Sequence, residues 1–438
     1  MDLKDKLLDS YIAFEEELGP KDSIQQLRTA ALKTFEQKGF PSKKEEAWKY
    51  TSLNSLIQND YTLFPSSEKA VDLNEIKHVF LYEVDTYKIV FVDGVHSPFL
   101  SDTTHDGLDV CLLSAALTKP KYSDLINRYF GAIATKEESM TALNTSYARE
   151  GAYIYIPPSI VAEKPIEIIH LATGDQGPVW LQPRNLIVVD TNAQVQIIER
   201  HQSLVEHQAV TNSVTEIFAH REALVDYYKI QNDLDTASLI DNTYISQDTN
   251  SHVSVHTFSF GGKITRNNLN YFQNGERINS TLKGITLLQE KQHVDHYTLV
   301  HHAQPNCESH QDYKGIFSDR SQGVFNGKIL VDKIAQKTNA FQQNNNIILD
   351  DKAKVNTKPQ LEIFADDVRC SHGCTIGQLD EEALFYLRTR GIPKKEAKAL
   401  MTYAFANNVL ESVQISALKK RINKLIAQKL GVNMGFEL

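Results

Sequence analysis

Asn192-Ala193-Gln194-Val195, Glu222-Ala223-Leu224-Val225 and Asn250-Ser251-His252-Val253 are three versions of one unit, a corner that runs into the start of a strand. Their first residues lie 30 and 28 positions apart, a spacing that marks stacked repeats. Short β-branched and aromatic runs surround them: Ile166-Glu167-Ile168-Ile169, Leu186-Ile187-Val188-Val189, Val195-Gln196-Ile197-Ile198, Leu224-Val225-Asp226-Tyr227-Tyr228 and Val253-Ser254-Val255-His256. One such coil cannot bury its own apolar face and must stack on its neighbours, so the pattern predicts a parallel β-helix. A large antiparallel sandwich is the competing arrangement, because it also alternates short strands with polar turns.

Outward from this core the texture changes. Before it, Ile24, Leu27, Ala30, Ala31 and Phe35 keep a helical spacing that Gly39 ends. The stretch Glu46-Ala47-Trp48-Lys49-Tyr50-Thr51 follows, in which Trp48 reads either as a core plug of a helical domain or as a recognition site. Short strands such as Lys88-Ile89-Val90-Phe91-Val92 come next, and Cys111 among Val110, Leu112 and Leu113 reads as a small core hydrophobe. After the core, Asp380 caps a helix that Gly391 closes, Pro393 opens a second helix, and Ser416 begins a third. This terminal unit reads as a cap on the open end of the β-helix, a docking surface, or both. The predicted architecture is mainly β: an N-terminal helical and mixed domain over 1–125, a β-helix core over 126–367 and a C-terminal helical domain over 368–438.

A net charge of −9 with no long basic run argues against a nucleic-acid partner. The charged start Met1-Asp2-Leu3-Lys4-Asp5-Lys6 is no secretion signal, and no apolar run approaches the roughly 18 residues of a membrane span. Four cysteines in 438 residues make no disulfide framework, which suits a reducing cytoplasm and thiolate chemistry.

No nucleotide cradle is present: Gly323-Val324-Phe325-Asn326-Gly327-Lys328-Ile329 has the wrong spacing and lacks the magnesium-binding hydroxyl, so the chain has no ATP site of its own. His293, His296, His301, His302 and His310 surround Cys307 and read either as a metal site across coils or as ordinary strand-end histidines. Gln342-Gln343-Asn344-Asn345-Asn346 suggests an amide ladder at a coil corner. The strongest liganding pattern is Cys370-Ser371-His372-Gly373-Cys374, with three metal-binding side chains on one face of an extended backbone. At about 3.3 Å per residue the two thiols stand roughly 13 Å apart, whereas a tetrahedral ion holds each sulfur at about 2.3 Å. Either Gly373 bends the chain or the missing ligands come from another one.

The run Phe364-Ala365-Asp366-Asp367-Val368-Arg369-Cys370-Ser371-His372-Gly373, continued by Leu384-Phe385-Tyr386-Leu387-Arg388-Thr389-Arg390-Gly391-Ile392, closely resembles the C-terminal signature of the SufD-type members of the SufB/SufD family of iron–sulfur cluster assembly proteins. Gly327-Lys328-Ile329-Leu330-Val331, Gln342-Gln343-Asn344-Asn345, Pro359-Gln360-Leu361-Glu362-Ile363 and Glu46-Ala47-Trp48-Lys49-Tyr50-Thr51 extend the likeness over most of the chain. The resemblance implies a right-handed parallel β-helix flanked by helical domains and a non-catalytic scaffold. It implies pairing with a SufB-like paralogue and docking of a SufC-like ABC-type ATPase. A transient iron–sulfur cluster would be shared at the paralogue interface, with the family's interface histidine falling on His372 and its cysteine on Cys370. Cys374 is a local addition to that ligand set. For the ATPase it points to Leu384, Phe385, Tyr386, Arg388, Met401 and Tyr403. Reduced flavin is associated with the family's complex, although this chain carries no dinucleotide fingerprint. The competing readings are a SufB-like paralogue, a homodimeric β-helix metal-binding protein and a β-helix enzyme acting on polysaccharide.

Overall fold

The computed structural model describes residues 2–432 apart from 19–21, 66–75, 78, 82, 104–106, 135–136, 174–176 and 205–206. The three corners are the same object three times over. Asn192, Glu222 and Asn250 adopt φ of 57°, 63° and 59°, and the series continues with Arg277, Asn306 and Lys337 at 54°, 60° and 59°. Each left-handed residue turns the chain sharply into the next strand, a conformation that asparagine tolerates best among residues with a Cβ.

The strands build two stacked sheets. One runs, coil by coil, through Tyr87–Val92, Ile166–Ala172, Gln194–Ser203, Leu224–Gln231, His252–Ser259, Asn279–Leu288, Glu308–Phe317, Asn339–Ile348 and Arg369–Gly377. The facing sheet runs through Ala152–Ile156, Arg184–Val189, Ala209–Ala219, Ala237–Gln247, Ile264–Gln273, His293–His302, Gln322–Val331 and Lys354–Ile363. Neighbouring strands in both series are parallel and in register, for example Leu224 beside Gln194 and His252, which excludes the antiparallel sandwich. The chain is therefore a parallel β-solenoid of about eight coils with helices on its flanks. Its ladder begins at Tyr87 and ends at Gly377, beyond the 126–367 span at both ends.

Alternate side chains fill the lumen. Ile89, Ile168, Ile197, Tyr227, Val255, Tyr271, Tyr313 and Phe325 form one continuous apolar column through successive coils. The opposite faces of both sheets are also apolar and are covered by helices. On one flank, Trp48, Phe14, Phe35 and Tyr147 pack with Val210, Ile240 and Ile264. Trp48 is thus a core plug, with the Arg266 guanidinium 4.6 Å from the centre of its ring. Cys111 is half-buried against the neighbouring cluster around Leu113, Tyr122 and Tyr153.

On the other flank, Tyr403, Ala406, Val409, Leu410, Leu418, Ile422 and Ile426 cover Ile198, Tyr228, Phe258, Ile285 and Ile316. Here the structure corrects the sequence reading. The helices Lys394–Leu410 and Ser416–Lys429 lie along the side of the solenoid and leave its last coil open. The outward-facing apolar face of the sheet claims these two helices, while the third, Glu381–Thr389, is largely exposed. The amides of Gln342 to Asn346 also sit within the strand Asn339–Ile348 and not at a corner; Asn346 there donates to Asn344 Oδ1 at 2.7 Å and to the Thr375 carbonyl at 3.2 Å.

Candidate functional site at the open end

Arg369–Gly377 is the last strand of its sheet and Lys354–Ile363 the last of the other, so each is paired on one side only among the described residues. Cys370, His372 and Cys374 stand in register with Ala340, Gln342 and Asn344, all of them buried. They therefore share the inward-facing side of the strand, and lack of a further coil leaves His372 and Cys374 exposed. Cys370 is half-buried against Ile329, Val331, Ala335 and Ala340, and this burial pushes its thiol pKa up. The strand is regular throughout, and Gly373 has no positive φ and makes no bend. With the two thiols roughly 13 Å apart along a straight strand, the three groups cannot close on one ion from this chain alone. They are a row of ligand-type side chains on the lumen face of the last coil, open at its unpaired edge.

That edge is surrounded by apolar side chains that soluble surfaces usually hide. Phe364 is 62% exposed, Ile376 48% and Phe341 41%. Two unpaired edges beside exposed aromatic and aliphatic groups form a template for another chain to pair with.

The histidine group at 293–310 is not assembled into a site. His293 bonds the Thr51 hydroxyl at 2.8 Å, His296 that of Thr286 at 2.8 Å, and His302 that of Ser309 at 2.9 Å. His301 meets Asp332 at 2.9 Å, His310 stacks on Phe341 at 5.4 Å, and the Cys307 thiol lies buried 3.3 Å from the Gly275 carbonyl. Each is a structural residue with its own partner.

The six residues named for docking fall into two groups. Phe385, Tyr386 and Arg388 are exposed on the helix Glu381–Thr389, Phe385 by 66% and Tyr386 by 57%. Leu384 and Tyr403 are buried and Met401 is half-buried, Tyr403 within the cluster against the side of the solenoid, so these three do not lie on an exposed surface. Asp380 accepts from the Glu382 and Ala383 backbone N–H groups and fixes where that helix starts.

One constellation escaped the sequence reading: His170, Glu199 and His201, buried and close together inside the solenoid. Its signal was present, since Glu199 and His201 are two apart and His170 lies 31 residues before His201, one coil earlier.

The sequence model for the SufBD core domain of the SUF system of iron–sulfur cluster assembly matches residues 170–405, and that for the SufBD N-terminal region matches residues 1–168. An iron–sulfur cluster assembly SufBD family protein of Synechocystis sp. is 31% identical over 425 residues, covering 93% of this chain and 92% of the relative. The iron–sulfur cluster assembly protein SufD of Escherichia coli is 30% identical over 402 residues, 90% of each chain, and the SufD of Bacillus subtilis is 27% identical over 320 residues, 71% of each. This chain belongs to the SufBD family of iron–sulfur cluster assembly proteins.

Proposed function

We propose that this chain is a non-catalytic, cytoplasmic scaffold subunit. It pairs through the open end of its solenoid with a SufB-like paralogue and contributes His372 and Cys370, with Cys374 as a third donor, to a nascent cluster held between the two chains. The observation that carries this reading is the coincidence of three things at one end of the solenoid: an unpaired backbone edge, an exposed apolar rim, and a row of donors too extended to chelate alone. A partner strand satisfies the backbone, covers Phe364 and Ile376, and supplies the missing ligands in the same act. Because the ligand set is split, moving one subunit opens it, which suits a cluster that must be handed on.

The exposed face of Glu381–Thr389, with Phe385, Tyr386 and Arg388, is the proposed seat of a SufC-like ATPase. It follows the last strand of the solenoid by three residues, so movement of the helix reaches the cluster edge along a short covalent path. Co-expression with a SufB-like and a SufC-like chain tests the assignment. Ile376→Lys is expected to abolish capture of the paralogue while sparing the ATPase, and Phe385→Ala with Tyr386→Ala the reverse. Loss of both partners together in either variant, or of neither, would overturn the division of surfaces. A homodimer that forms only without the paralogue would use the same edges.

A further inference from the structure

We propose that the interior of the solenoid holds a resident divalent transition-metal site built from His170, Glu199 and His201, separate from the open-end donors and independent of their role. The strands Ile166–Ala172 and Gln194–Ser203 are adjacent and parallel, with His170 beside His201 and Ile168 beside Glu199. All face the lumen, as the burial of Ile166, Ile168 and Ile197 in the central apolar column requires. The two imidazoles stack with centroids 4.7 Å apart and planes within 14°.

Three observations point to a cation. First, spacing: His170 Nε2 and His201 Nε2 lie 3.4 and 3.7 Å from Glu199 Oε1, and one donor atom from each residue falls within 4.8 Å of the others. Ligands at about 2.1 Å from a tetrahedral ion stand roughly 3.4 Å from one another, so small rotamer adjustments complete the set. Second, poorly partnered donors: the residues are 7%, 0% and 3% exposed, yet His170 Nε2 and His201 Nε2 have only Glu199 Oε1 beside them, outside good hydrogen-bond geometry, and His201 Nδ1 has no hydrogen-bond partner. Nitrogens withheld from water in this way cost free energy unless something binds them. Third, charge: the carboxylates of Glu199 and Asp241 share a single ammonium, Lys229, which sits 3.6 Å from Glu199 Oε2 and pairs with Asp241. Two carboxylates against one ammonium leave one negative charge over beside the neutral histidines.

The carboxylate is also held in place as metal ligands commonly are. The Tyr227 hydroxyl donates to Glu199 Oε2 at 2.6 Å and Asn185 Nδ2 donates to Oε1 at 3.0 Å. Two imidazoles and a carboxylate with a fourth position open suit zinc or ferrous iron better than a hard ion such as magnesium. Phe91 stacks on His170 at 5.3 Å and closes one side, so the ion enters as the chain folds or by local opening. The alternative occupant is a proton on His201, forming an ion pair with Glu199.

The test uses the full chain, isolated anaerobically and also refolded from denaturant with cobalt(II), zinc or ferrous iron. Metal is counted by mass spectrometry, and cobalt is read by its visible absorption. About one ion per chain is expected in the wild type and in the Cys370→Ser, His372→Ala, Cys374→Ser triple variant, with loss in His170→Asn and His201→Asn. Tyr227→Phe, which keeps the ring in the core, is expected to weaken binding roughly 10- to 100-fold. No metal after either preparation, metal that disappears with the open-end donors, or an affinity unmoved by Tyr227→Phe would each overturn the site. The last criterion holds even where the histidine variants fail to fold.

Discussion

Replacing Glu216 with alanine should loosen the N-terminal region from the solenoid more than any surface change. Glu216 points outward from Ala209–Ala219 and accepts the backbone N–H groups of Gly131 at 2.7 Å, Ile133 at 3.1 Å and Ala134 at 3.0 Å. It also pairs with Arg184, whose guanidinium lies 4.7 Å over the Phe130 ring, and both charged side chains are fully buried. Burial pushes the Arg184 pKa down, and Glu216 is the carboxylate that offsets that cost. Removing one partner of such a pair costs about 3–5 kcal/mol. Each of the three amides left without an acceptor adds up to about 1–3 kcal/mol, less whatever entering water recovers. The double variant Arg184→Met, Glu216→Leu removes charge and counter-charge together and should lose less than Glu216→Ala alone. Both tryptophans, Trp48 and Trp180, are buried in the cluster between the N-terminal helices and the sheet, so urea unfolding followed by their fluorescence reports on this junction. Hydrogen exchange at Gly131, Ile133 and Ala134 supplies a local reading. A cost under about 1 kcal/mol for Glu216→Ala, or unchanged protection of those amides, would refute the reasoning.

Three further outcomes follow from the same packing. Trp48→Ala should cost about 3–5 kcal/mol in the same unfolding assay, since it empties a core position beside the Arg266 guanidinium. Burial lowers the pKa of His296 to about 4, below its unfolded value near 6.5, so its contribution to stability is complete above about pH 6.5 and is lost as pH falls towards 4. His296→Gln should flatten that part of the pH–stability profile; an unchanged slope would show that other groups dominate acid unfolding. Ile376→Lys, at a position 48% exposed, should change the stability of the isolated chain by no more than about 0.5 kcal/mol while weakening association through the open end, as sedimentation would record.

The solenoid was legible because its corner residues repeat at the coil length and its strands are short β-branched and aromatic runs between polar corners, both properties of local sequence. Trp48 read either as a core plug or as a recognition site, and its burial among the N-terminal helices bears out the first, as large aromatics dominate small cores. Placement of the C-terminal helices was not legible, because Ala397 to Leu410 show which face is apolar and not which sheet face claims it. The open end of the fold is a consequence of that placement. Residues 293–310 misled in the opposite direction: five histidines close in sequence occupy two different strands, and each finds a hydroxyl, carboxylate or ring of its own. His170 and Glu199 are 29 residues apart and meet only once the register between coils is known. Cys370, His372 and Cys374 were legible as ligand-type side chains on one strand face, and the regular strand leaves them as separated as a straight chain requires.

The half-site proposal is tested most directly by cluster content. The chain should be co-expressed with a SufB-like and a SufC-like chain, isolated without oxygen, and its visible absorption compared among wild type, His372→Ala, Cys370→Ala and Cys374→Ala at equal amounts of any assembled complex. A split site with His372 as its main donor from this chain should show the greatest loss of absorption in His372→Ala and a smaller loss in Cys370→Ala. Wild-type absorption in all three variants, with the complex intact, would contradict it.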